Sequence, residues 1–414
     1  MASANNTSYT NYSSGEQHTR QCVDEESKLG VMTVKSLAYC IVIILSLIGN
    51  GLVIRIFYKN RSVLTTTNCF IVNMAASDIM LPVFVIPRHV LAVFEEGPYG
   101  LHAWHVNGII GELLCKLIPF IGDVSNSVSI FTLVLISCDR YFAIVWPLSY
   151  KLHITTKKCT VLIAATWTIA FIVHAPYFYS FKLYHGFKDK TLCVSFWSSV
   201  DKLDDDTHVQ KSLQSQKTYF LFLLVVVYVL PLTIITIMYS SIIRELRVSI
   251  RNHSSQQRRQ RRREDNRVIA MLVIIVTIFA VFFAPIHILY FLQNFVLNAT
   301  SDTCKMSTIQ FSFFFLTLST CCVNPYIYFI FLRKYRHGVK TLLKEFFASR
   351  FMTVCPVTRA SKCCIQTCLD DLEEGLQATN NARHRNSSSC RVRHTEHIIL
   401  ASEQEETIQF ETGV

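Results

Sequence analysis

The chain has 414 residues, 51% of them hydrophobic and only 17% charged, with a formal net charge of +11. A soluble chain of this length would carry about 25% charged residues and divide into several domains, so the composition argues against an ordinary water-soluble protein. The basic excess gathers in short stretches between apolar runs, which marks membrane topology and argues against a nucleic-acid-binding surface.

Residues 1–35 are polar and contain no apolar signal-peptide core, so the first span is expected to direct membrane insertion itself. Sequons begin at Asn5, Asn6 and Asn11, and a further one at Asn298. They are usable as glycosylation sites only on the outer side of a membrane. A bilayer crossing needs about 20 mostly apolar residues. Seven segments qualify: 36–58, 69–94, 112–145, 159–181, 217–243, 267–297 and 306–331. An odd number of crossings puts the N-terminus and Asn298 on the same side.

Charge fixes which side that is. The outer loop 182–216 carries Asp201, Asp204, Asp205 and Asp206, whereas 244–267 holds nine arginines. Lys151, Lys157 and Lys158 follow the third span, and Arg333, Lys334 and Arg336 follow the seventh. The positive-inside rule places the basic loops in the cytoplasm and the N-terminus outside. Residues 332–347 alternate apolar and basic faces at helical spacing, predicting an amphipathic helix on the inner membrane surface. Cys355, Cys363, Cys364 and Cys368 follow it and are expected to carry palmitate, and the polar tail 348–414 completes the chain. Cys22, Cys115, Cys193 and Cys304 fall outside, where disulfides persist. The organisation is thus an extracellular N-terminus (1–35), an all-α seven-transmembrane helix bundle (36–331), a short amphipathic helix 8 (332–347) and a cytoplasmic tail (348–414).

Seven spans alone fit a transporter, a light-driven pump or a receptor, so the polar residues within them decide. Span one has Gly49-Asn50, span two Asn73 and Asp78, and span three ends Asp139-Arg140-Tyr141. Trp167 lies in span four, Pro231 and Tyr239 in span five, and Phe279, Phe283 and Pro285 in span six. Span seven closes with Asn324-Pro325-Tyr326-Ile327-Tyr328. Together these residues, over roughly 36–347, resemble the rhodopsin-like (class A) G-protein-coupled receptors, most of all the neuropeptide branch.

The resemblance implies roles. Arg140, flanked by Asp139 and Tyr141, would hold the resting state and then contact the G protein, with Asp265 as its acidic partner at the start of span six. Leu148, in the loop after span three, would enter a groove on the G protein. Tyr239, Asn324, Pro325 and Tyr328 belong to the same activation machinery. Ile130, Pro231 and Phe279 match the family's core switch. Phe283 replaces the usual tryptophan before the Pro285 hinge. Asp78, buried and without a basic neighbour in its own span, needs a counter-ion or a proton; Ser129 and Asn324 stand where the family surrounds an allosteric sodium ion. No other cofactor is expected. Cys115–Cys193 matches the family disulfide, and Cys22–Cys304 a second bridge. Thr412 and Val414 fit a PDZ-domain ligand, and Ser387, Ser388 and Ser389 offer phosphorylation sites for arrestin.

Leu318 occupies the position of the retinal lysine and Gly122 that of the amine-binding aspartate, so neither an opsin nor an amine receptor is expected. The long acidic outer loop, with Glu95 and Glu96, favours a cationic peptide ligand. His89, Glu112, Asp123, Asn126, His287, Tyr290 and Gln293 are the candidate pocket residues. No nucleophile or metal-ligand constellation points to an enzyme. The expected function is a plasma-membrane receptor that binds an extracellular peptide and activates a heterotrimeric G protein. The alternatives are a receptor for a lipid or other small molecule and, more distantly, a transporter.

Overall fold

The computed structural model describes residues 29–59, 65–95, 102–146, 154–187, 190–197, 206–249, 256–296 and 303–354. Seven helices in it are long and apolar enough to cross a membrane. The first two are α1 (Leu29–Lys59) and α2 (Thr66–Val93), the latter interrupted by a π-helical turn at Leu81–Val85. Next come α3 (Gly108–Val145) and α4 (Thr156–His174), which continues into one further turn, Tyr177–Ser180. An antiparallel hairpin follows, β1 (Phe181–Phe187) and β2 (Lys190–Ser195). Then α5 comprises Asp206–Leu223, a π-helical segment Leu224–Val229, and Leu230–Ser249. The remaining helices are α6 (Gln256–Phe295), α7 (Thr303–Leu318 and Thr320–Phe331) and α8 (Arg333–Val354).

Several helices outrun the apolar segments that announce them. The α5 helix continues to Ser249 and α6 already begins at Gln256, beyond the apolar segments 217–243 and 267–297. Gln, Arg and Glu are good helix formers, and no Gly or Pro interrupts 256–266, so the helix extends past the hydrocarbon edge. Likewise α1 starts at Leu29, α5 at Asp206, and α8 runs to Val354 beyond the expected residue 347. On the inner side, the hydroxyls of Thr65 and Thr155 cap α2 and α4, accepting from Asn68 N and Lys158 N at 3.4 Å each. The π-helical turns sit beside Pro82 and Pro231, where a missing N–H shifts the hydrogen-bond ladder.

The surface is apolar where lipid would lie. Ile48, Val161, Ile172, Ile237, Val281 and Ile288 are all more than half exposed. In water such a belt would drive aggregation, whereas in hydrocarbon it costs nothing. The interior holds the polar chemistry. Asn50 donates to the carbonyls of Cys321 (2.9 Å) and Ser46 (3.0 Å), joining α1 to α7. Close approach of these helices requires Gly49, where a Cβ would meet the Pro325 side chain at 3.0 Å. Asn73 donates to Thr132 at 2.8 Å and accepts from the Trp167 indole at 2.9 Å, tying α2, α3 and α4 together. Interhelical hydrogen bonds of this kind contribute about 0.6–2 kcal/mol each in a membrane.

An inner apolar cluster built on Leu133, Ile235, Leu272, Ile327 and Tyr335 fills the half of the bundle toward which α3 ends. A second, with Tyr39, Leu81, Ile86 and Leu318, joins α1, α2 and α7 in the outer half. The bundle with α8 up to Leu342 forms one compact unit. Beyond it α8 continues as a helix that exposes Phe346 and Phe347.

Candidate functional site

At the inner end, Asp139 is buried and gathers hydroxyls from the first turn of α2. Thr66 donates to one carboxylate oxygen at 3.2 Å and Thr67 to the other at 2.9 Å. Arg140 folds back onto the same group, its Nη2 2.6 Å from Asp139 Oδ2 and 2.8 Å from Thr67 Oγ1. The Thr67 hydroxyl therefore donates to the carboxylate and accepts from the guanidinium. Tyr141 packs half-buried against the inner apolar cluster. Tyr239, also buried, accepts from Ser137 at 3.0 Å. Tyr328 is buried with its hydroxyl 3.6 Å from Met74 Sδ and its ring 6.3 Å from that of Tyr335. Asp265 lies on α6 with its side chain outside the described residues, as does all of Leu148.

Halfway through the bundle, Asp78 is 4% exposed. Ser129 donates to its Oδ1 at 2.9 Å and Asn324 to its Oδ2 at 3.0 Å, so α2, α3 and α7 converge on one carboxylate. Ser77 lies 2.9 Å from Ser129 and joins the cluster. Thr320 turns its hydroxyl away, to the carbonyl of Thr317.

Ile130, next to Ser129 on α3, is buried, as are Pro231 and Phe279, with Phe279 and Phe283 stacked at 4.2 Å. Pro285 removes an amide from the α6 ladder, and neighbouring carbonyls find cross-helix donors. Tyr228 donates to Ala280 O at 2.7 Å and Thr317 to Phe282 O at 3.2 Å. These bonds hold the hinge from both sides.

In the outer half, β2 is anchored to the top of α3 by the Cys115–Cys193 disulfide. Trp104 packs on that bridge, with its backbone N bonded to Thr191 O at 2.8 Å and the Arg88 guanidinium 5.4 Å above its ring. The chain before α3 folds so tightly over it that a Cβ on Gly111 would lie 1.9 Å from Val106 O. Adjacent residues on α3 diverge. Gly122 faces Val85 of α2, whereas Asp123 accepts a hydrogen bond from Tyr177 at the end of α4. The charge of Asp123 also acts on Tyr219 of α5, on Tyr290 and His287 of α6, and on His174 of α4.

A family model described as "7 transmembrane receptor (rhodopsin family)" matches residues 49–328. The chain belongs to that family. The match takes in every site just described apart from Tyr335, and leaves out α1 before Gly49 and the chain after Tyr328. The family makes this protein a membrane receptor and not an enzyme. Among curated relatives, the Tachykinin-like peptides receptor 86C of Drosophila melanogaster is 27% identical over 310 residues, covering 73% of this chain and 57% of that protein. The Bombesin receptor subtype-3 of Ovis aries is 27% identical over 311 residues, covering 74% of each. The RYamide receptor of Drosophila melanogaster is 30% identical over 322 residues, covering 74% of this chain and 62% of that protein. The chain thus spans under two thirds of two of these relatives.

In this rhodopsin-family receptor the seven residues named from sequence as pocket candidates do not form one group. Asp123 on α3 lies near enough to His287 and Tyr290 of α6 for its carboxylate to act on both. His89 is buried elsewhere, against Tyr39 of α1 (6.0 Å) and Phe314 of α7 (5.3 Å). Glu112 is exposed at the outer end of α3 and pairs with Lys116 at 2.6 Å. Asn126 and Gln293 are half-buried on α3 and α6. Cys22, the Cys304 side chain, Asn5, Asn6, Asn11, Asn298, Thr412 and Val414 all lie outside the described residues.

Sequence reasoning missed Tyr177, Tyr219, His174 and Thr67. His174 carried a signal, since it is the one ionisable His, Asp, Glu, Lys or Arg beyond the first turn of α4. Thr67 carried none, because a threonine beside the first turn of a span reads as an ordinary cap.

Proposed function

We propose that this receptor sits in the plasma membrane with its N-terminus outside, binds an extracellular peptide, and catalyses nucleotide exchange on a heterotrimeric G protein. The observation that carries the coupling is the inner-end cluster of Arg140, Asp139 and Thr67. It holds a fixed cation at the cytoplasmic edge by contacts that a partner or a helix movement can replace. A peptide ligand is supported by the peptide receptors among its relatives and by the disulfide-tethered hairpin beside the outer end of the bundle. The sequons and the basic inner segments support the orientation.

A sodium ion fits the Asp78 cluster as a modulator. The donor set is one carboxylate with the Ser77 and Ser129 hydroxyls, hard oxygen ligands with no lysine or arginine partner among the described residues. Bound there, sodium would neutralise the carboxylate and favour the resting packing of α2, α3 and α7. Arrestin would read a phosphorylated Ser387–Ser389 segment, a PDZ protein the Thr412 and Val414 terminus, and membrane lipids would anchor acylated cysteines after α8.

The test is agonist-dependent G-protein dissociation in cells expressing the full chain, challenged with tachykinin-like, bombesin-like and amidated peptides. A saturable response that disappears in Arg140→Ala at equal surface expression is expected. Silence from well-expressed receptor across the peptide set would turn the ligand reading to a lipid or other small molecule.

A further inference from the structure

Asp123 is an acidic side chain in the membrane-embedded outer half with an unusual set of neighbours. Among the described residues, one hydrogen bond reaches it, from the Tyr177 hydroxyl. No ion pair joins it to a lysine or arginine among the described residues. Of the outer-half cations, Lys116 pairs with Glu112, and four others are seated on other aromatic rings. Arg88 lies over Trp104, Lys182 over Tyr179, Lys217 over Phe295 and Lys35 over Phe311. The Tyr177 ring, whose hydroxyl donates to the carboxylate, lies 5.4 Å from that of His174 and 5.9 Å from that of Tyr219, and the carboxylate also acts on Tyr290 and His287 of α6. Two imidazoles, those of His174 and His287, each keep a buried Nδ1 without a partner among the described residues. His174 is itself 2% exposed, its other nitrogen 2.8 Å from Ser127.

A carboxylate held by one neutral donor in an aromatic surround is costly by itself and favourable once a cation joins it. Phenol faces add cation–π attraction. A planar guanidinium fits best, because its fork can satisfy the free carboxylate oxygen while its remaining N–H groups reach imidazole nitrogens.

We propose that Asp123, walled by Tyr177, Tyr219 and Tyr290 and bordered by His174 and His287, is the receptor's binding site for a guanidinium group. In the ligand that group is an arginine side chain, a step that rests on the peptide reading; the site itself does not. The site lies on a different face of α3 from Gly122, so it is separate from the position at which an amine-receptor aspartate was sought.

The direct test is thermal denaturation of the purified full chain with benzylguanidine or its neutral counterpart benzylurea, each at about 10 mM. Benzylguanidine is expected to raise Tm and benzylurea not to. The difference should vanish in Asp123→Asn, which keeps an acceptor for Tyr177. It should persist in Glu112→Gln, which removes an exposed carboxylate that pairs with Lys116 outside this cluster. Equal shifts by the two compounds, or a difference surviving in Asp123→Asn, would overturn the site. With an activating arginine peptide, replacing arginine by citrulline should cost about thirtyfold in potency on the wild type and under about threefold on Asp123→Asn. Peptide signalling with equal citrulline losses in both receptors removes the site and leaves the peptide reading. Guanidine discrimination without any peptide response does the reverse.

Discussion

Thr67→Val isolates what restrains Arg140. Valine keeps the shape of threonine and removes only the hydroxyl, which donates to Asp139 at 2.9 Å and accepts from Arg140 at 2.8 Å. The charge pair itself, at 2.6 Å, stays in place. A hydrogen bond to a charged partner contributes about 1.5–3 kcal/mol when dry. The Arg140 side chain is 22% exposed, so water replaces part of the loss. A net cost of about 1–2 kcal/mol to the resting arrangement follows. If the active arrangement turns Arg140 away from α2, the conformational equilibrium shifts by about 5- to 30-fold. A receptor that is about 1% active at rest would become about 5–20% active. Agonist-free G-protein dissociation, normalised to receptor at the cell surface, reads this directly. Asp139→Asn, which weakens the pair itself, should raise it further. Basal signalling unchanged in Thr67→Val but raised in Asp139→Asn would reduce Thr67 to a bystander. Baseline signalling in both would remove the restraint altogether.

Other consequences follow from the same packing. Asp78→Asn should reach the surface and lose the dependence of agonist potency on external sodium; wild-type potency that ignores a sodium-for-choline exchange would count against the ion. Trp167→Phe leaves the Asn73 side-chain oxygen without its 2.9 Å donor, and thermal denaturation should show a loss of about 1–3 kcal/mol. An unchanged Tm would mean another donor takes the place of the indole. Tyr335, just beyond the last span, buries a hydroxyl without a partner among the described residues, and burial pushes its phenol above the ordinary range, so it stays neutral at physiological pH. Tyr335→Phe should therefore be neutral or stabilise by up to about 1 kcal/mol, whereas Tyr335→Ala should cost about 3–5 kcal/mol. A clear loss in the Phe variant would reveal an uncounted partner. Peptide mapping without reductant should find Cys22 joined to Cys304; free thiols at both would exclude that bridge.

Hydropathy made the seven spans legible because the bilayer imposes length and polarity on each of them separately. It could not fix where helices end, since nothing in the bilayer rule stops a helix built from Gln and Arg outside the hydrocarbon; α6 accordingly starts at Gln256. Residues such as Asp78 and Arg140 stood out because charge inside a span is expensive and rarely incidental. Their partners were less visible. Ser129 and Asn324 came by resemblance alone, and Thr67 escaped because its role depends on how α2 and α3 are rotated against each other. The outer half was least legible. Periodicity placed Asp123 on a different face from Gly122, but only the packing of α4, α5 and α6 shows that Tyr177, Tyr219 and Tyr290 share that face. The same packing separates His89 and Glu112 from that group.

The most direct test is guanine-nucleotide exchange with the purified receptor reconstituted in lipid nanodiscs beside a panel of Gα classes. The account predicts that the full chain accelerates exchange on at least one class, that an activating peptide increases the rate, and that Arg140→Ala abolishes both effects while leaving Tm unchanged. Folded receptor that leaves every exchange rate at its spontaneous value, with or without peptide, would contradict it.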